Sequence, residues 1–81
     1  MNEVEETLRV IRDEISYHKK QLNSLDKTGK FIENQVSMID EHKKNILNSI
    51  GFKMEYHNYK IIKLVDNREE LRKKYNIGDL E

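Results

Sequence analysis

The sequence contains no cysteine, no proline and no tryptophan. Without cysteine there can be no disulfide and no thiolate metal site. Small secreted domains usually depend on such staples, so the expectation is a chain that works in the cytoplasm. Without proline, the three glycines, Gly29, Gly51 and Gly78, are the main candidate break points. Aromatic residues number only six, and hydrophobic residues make up 36% against 37% charged. That is little material for a globular core, yet ample for an apolar stripe along a helix. Low hydrophobicity also favours disorder, but a net charge of zero and a strict apolar period argue against it. No apolar run approaches the roughly 20 residues that cross a bilayer, and the acidic opening MNEVEETLRV carries no hydrophobic signal region. These readings predict no membrane association. Nor is there a surplus of one charge sign. Fifteen Lys and Arg balance fifteen Asp and Glu, whereas dedicated nucleic-acid binders normally carry excess positive charge.

What the chain has is periodicity. Apolar residues fall at Val4, Leu8, Ile11, Ile15, Leu22, Leu25, Ile32, Val36, Ile39, Ile46 and Ile50. With His18, Gly29 and Lys43 in the gaps, the spacing alternates four and three, a coiled-coil seam in one phase from Val4 to Ile50. Taking Val4 as d, the a residues are Leu8, Ile15, Leu22, Val36 and Ile50; Ile11, Leu25, Ile32, Ile39 and Ile46 are d. A second stripe at Val10, Tyr17, Phe31 and Met38 widens the apolar face beyond what a dimer needs. The preferred reading is one long helix over residues 3–50, ended by Gly51. It would bury its seam only by self-association, as a dimer to tetramer. The alternative is a helix hairpin broken at Gly29, where Leu25-Asp26-Lys27-Thr28-Gly29-Lys30 resembles a turn. Constant phase across Gly29 favours the single helix, and a mid-helix glycine costs only about 1 kcal/mol relative to alanine.

Each interruption of the seam has two readings. His18 at d is a pH-sensitive or register-setting residue, or simply a tolerated polar core position. Lys43 at a either sets register or lays its stem along the seam with its ammonium in water. Gly29 is a hinge, a close backbone approach or a turn.

Beyond Gly51 the pattern changes to period two. Phe52, Met54 and Tyr56 alternate with Lys53 and Glu55, which predicts a strand. His57-Asn58 would form a tight loop leading to a second strand through Leu64, making a β-hairpin over residues 52–65. In that register Tyr56 faces Tyr59, Met54 faces Ile61 and Glu55 faces Lys60. Asp66 and Glu69 then suggest a capping box opening a short helix over residues 66–76, followed by a frayed tail at 77–81. The predicted fold is therefore a single, mainly α domain: a long heptad helix, a short β-hairpin and a short C-terminal helix.

No catalytic, cofactor or metal constellation is legible. The three histidines, His18, His42 and His57, lack ligand spacing, and the carboxylates sit beside basic residues as on a solvated helix face. Arg68, Arg72, Lys73 and Lys74 form one basic patch, read chiefly as salt-bridged surface and alternatively as a phosphate-contacting site. Tyr56, His57, Tyr59, Arg68, Arg72, Lys73 and Tyr75 make the candidate partner surface, because tyrosine and arginine are enriched at binding hot spots.

The runs Phe31-Ile32-Glu33-Asn34-Gln35-Val36, Asn48-Ser49-Ile50-Gly51 and Tyr59-Lys60-Ile61-Ile62-Lys63 resemble the C-terminal half of small siphovirus coiled-coil proteins. The outline is also similar to the Gam host-nuclease inhibitors of Mu-like phages. The resemblance implies a phage or mobile-element protein that binds and inhibits a host protein in the host cytoplasm. It carries over no functional residue, because these runs contain none. The expectation is a non-enzymatic protein–protein interaction module that needs no cofactor. A nucleic-acid-associated protein and a structural scaffold are the alternatives.

Overall fold

In a computed structural model of the chain, two α-helices run antiparallel and side by side. The structure describes residues 2–76. Helix α1 spans Asn2–Glu33 and α2 spans Asp40–Tyr75, joined by residues 34–39. The pair measures 57 × 15 × 15 Å, a length set by α2 at about 1.5 Å per residue. The mainly helical reading holds. The β-hairpin over 52–65 and the separate helix over 66–76 do not: both segments lie inside α2, and there is no strand among the described residues. The tail at 77–81 and Gly78 lie outside the described residues.

The α1 seam is the heptad read from the sequence. Leu8, Ile11, Ile15, His18, Gly29 and Ile32 are buried, and Val4, Leu22 and Leu25 half-buried. They pack against α2 of the same chain, so the hairpin replaces the single rod. The break falls one turn after Gly29. Around Gly29 the helix is held by an i,i+4 ion pair between Lys30 and Asp26 at 3.2 Å and by the Thr28 hydroxyl donating to the Ser24 carbonyl. The chain leaves α1 at Asn34, whose N–H still bonds the Lys30 and Phe31 carbonyls. Val36, an expected a residue, is 97% exposed in the connection, and Ile39 beside it is also exposed.

Helix α2 opens at Ile39, which has extended backbone (φ −64°, ψ 135°) and no side-chain cap. Asp40 and Glu41 in its first turn, and Arg72, Lys73 and Lys74 in its last, complement the helix dipole. Asn76 closes it in the left-handed region (φ 50°), its N–H donating to the Arg72 and Lys73 carbonyls. Gly51 does not stop the helix. It lies mid-helix with ordinary backbone, and nothing stands within 4 Å of where its Cβ would be. The Asp66–Glu69 capping box opens nothing, since both residues lie inside the continuous helix α2, where there is no helix start to cap.

The inward face of α2 has its own 3.5-residue period: Lys43, Leu47, Ile50, Met54, His57, Ile61, Leu64, Arg68, Leu71 and Tyr75, buried or half-buried except for Tyr75 at the edge. Leu47 takes the place expected of Ile46, which is exposed. The apparent alternation at Phe52, Met54 and Tyr56 dissolves in this frame. Met54 turns inward, while Phe52 and Tyr56 turn out. Tertiary packing along α1 decides the matter over a short local pattern, as it commonly does where β-propensity depends on a sheet face to pack on. The tightest part of the core joins Ile11 and Ile15 to Leu64, with Ile61, Val65 and Leu71 against them.

Candidate interaction surface and the histidine pair

Near the middle of the helix pair, His18 of α1 meets His57 of α2, with the two Nδ1 atoms 2.7 Å apart. Such a contact requires one Nδ1–H donor and one bare Nδ1 acceptor. His18 is only 6% exposed and His57 half-buried. Tyr17 and Tyr56 each present ring edges to both imidazoles, at centroid separations of 5.1 to 6.3 Å. Burial, then His57, then Lys60 push the His18 pKa below the ordinary 6.5, and Glu14 opposes them. Two imidazoles could supply two positions of a metal shell. No group of three or more metal-ligating side chains occurs among the described residues. His42 stands apart, exposed in the first turn of α2.

The sequence read His57 as a loop tip in a partner surface; its side chain instead faces α1. Tyr56 and Tyr59 do point outward, 55% and 57% exposed. They are joined by two residues outside the partner surface expected from the sequence. Phe52 is 72% exposed and Ile62 60%. Phe52, Tyr56 and Tyr59 are spaced i, i+4 and i+7, so they form a stripe along α2. Phe52 and Tyr59 are turned away from α1, and Tyr56 lies at its flank, where the ring also reaches His18. Helical spacing was the signal that could have found Phe52. Lys63 sets its ammonium over the Tyr59 ring, 5.6 Å from the centroid. Ile46, and Phe31, Val36 and Ile39 around the turn, are further exposed apolar residues.

The basic residues divide. The Arg68 and Arg72 side chains are largely covered at the edge of the helix seam, and both lie by the Glu69 carboxylate, with Arg72 Nη1 at 3.2 Å and Arg68 Nε at 4.0 Å. Lys73, Lys74 and Tyr75 remain on the outside, Lys74 over the Tyr75 ring. Of the seam residues, Leu8, Ile11, Ile15, His18, Leu22, Leu25, Ile32, Lys43 and Ile50 meet at the α1–α2 interface, while Val36, Ile39 and Ile46 stay outside it. No helix is long and apolar enough to cross a membrane among the described residues. No protein-family model, no curated protein and no solved structure matches the chain.

Proposed function

We propose that this chain is a non-catalytic interaction module, a helical hairpin that associates with a second copy of itself through the outward stripe of α2. The observation that carries the reading is an excess of surface. The chain exposes 6367 Å², whereas a globular monomer of 9.8 kDa would expose about 5,200 Å². That excess of about 1,200 Å² is larger than the roughly 800 Å² each partner contributes to a standard interface. Phe52, Tyr56, Tyr59 and Ile62 supply an apolar centre for such a contact, with aromatic residues of the kind interfaces favour. A second copy presents the same stripe, and zero net charge sets no long-range repulsion between copies. Two hairpins packed in this way make a four-helix bundle, a closed two-fold arrangement. The further partner of that bundle is a protein rather than a nucleic acid, because Arg68 and Arg72 are drawn into the seam beside Glu69.

Light scattering over a wide concentration range tests this. The wild-type chain is expected to reach at least twice the single-chain mass. F52E/Y59E is expected to stay single at unchanged helicity, because both side chains point to solvent in the hairpin. A wild-type mass of one chain at every concentration overturns self-association.

A further inference from the structure

The contact between His18 and His57 has a consequence that does not rest on self-association. We propose that this pair is a proton-operated clasp, which ties α1 to α2 through one shared Nδ1 proton and parts when both rings are charged. The geometry carries the argument. At 2.7 Å between the Nδ1 atoms there is room for a single hydrogen between the rings. A first added proton goes to the Nε2 of the donor ring and leaves the contact intact. A second has only the acceptor's Nδ1, where it would set two N–H groups and two positive charges against each other.

The surroundings make the second proton unwelcome. On α1, Glu14 stands one turn before His18 and favours charge. On α2, Lys60, one turn after His57, opposes it, and Lys53 lies one turn before. The Tyr17 and Tyr56 rings flank the pair, roughly perpendicular to the imidazoles. His18 is buried at a seam position between Ile15 and Leu22, so it can gain water only if the helices separate locally. In the unfolded chain both imidazoles take protons near pH 6.5. The folded pair binds fewer protons in acid, and stability must fall as pH falls below that value. Above it, the clasp is closed.

The test is urea unfolding of the full chain, followed by helicity, at several pH values from 8 to 5.5. The background is His42→Gln, which leaves the pair as the only histidines. The folding constant of H42Q is expected to fall severalfold between pH 6.5 and 5.5, with a ceiling of about tenfold per pH unit for each proton withheld. H18Q/H42Q/H57Q keeps hydrogen-bonding side chains without titrating ones, and its slope is expected to be shallower. Equal slopes overturn the clasp, as does an unchanged urea midpoint accompanied by a change in solution mass. Should the triple variant fail to fold, NMR titration of H42Q decides. A second protonation step of the pair lying below 6.5 supports the clasp, and two independent midpoints at 6.5 overturn it.

Discussion

The ammonium of Lys43, in the first turn of α2, donates to the backbone carbonyl of Glu33, the last residue of α1, at 3.2 Å. A seam position that looked like a register device or a snorkelling lysine thus closes the hairpin. It brings positive charge to the C-terminal end of α1, where the carbonyls lack helical partners. Lys43→Met keeps the stem and removes the charge and donor. The expected loss is about 0.5–1 kcal/mol at low salt, since the contact is exposed. That corresponds to a fall in Tm of a few degrees for a chain of this size. The difference between the two proteins should shrink as salt is raised, because screening weakens only the charged one. A wild-type advantage that ignores salt would assign the effect to the hydrogen bond to Glu33 rather than to the charge.

The first half of the fold was legible because its seam is unambiguous: from Val4 to Ile32 every heptad position faces α2 as the spacing requires. The turn was hidden by coincidence. Val36 and Ile39 continue the phase of the seam while lying in the connection, so apolar pattern and helix parted company there. The better signals were polar: Asn34 and Ser37 as breakers, then Asp40-Glu41 as the acidic opening of a helix. In α2 the true period was masked because Lys43, His57 and Arg68 occupy seam positions. Their replacement by apolar residues would have spelled out a second heptad.

The candidate site was legible in composition and not in direction. Tyr56 and Tyr59 can be picked out as binding residues by type. Whether Phe52 and Ile62 accompany them depends on whether the segment is strand or helix. Likewise His18 and His57 are thirty-nine positions apart, and only knowledge of where the chain turns back brings their rings together.

Gly29 is buried under α2, yet a Cβ there would meet only Ile50 Cγ2 at 3.9 Å and Leu47 Cδ2 at 4.0 Å. Both are ordinary contact distances. Gly29→Ala should therefore stabilise the hairpin by about 0.5–1 kcal/mol, from helix propensity and reduced freedom of the unfolded chain. Gly51→Ala, with open space around it, should gain a similar amount. Urea midpoints of the two variants and their double check this, with the gains adding because the substitutions act chiefly through backbone preference. Destabilisation by Gly29→Ala would place the chain's turn, or a closer helix approach, at that residue.

Ile62 and Leu64 distinguish the helical from the strand arrangement of this segment most sharply. As strand residues two apart they would share a face, and truncating either would have comparable effects. In α2 they are set 200° apart, and their environments differ accordingly. Leu64 is 9% exposed against Ile11 and Ile15, while Ile62 is mostly in solvent. Leu64→Ala removes part of the tightest cluster in a hairpin with few buried side chains, at an expected cost of about 2–4 kcal/mol. That is a large share of what a chain of this size can hold, and it should leave much of the protein unfolded by circular dichroism. Ile62→Ala should change the folding of a single hairpin by less than about 0.5 kcal/mol. If Ile62 also lies at the contact between copies, the same variant lowers the solution mass at a given concentration while helicity at high concentration is kept. Folding loss from one residue and association loss from the other would separate the inner face of α2 from the outer by two independent readouts.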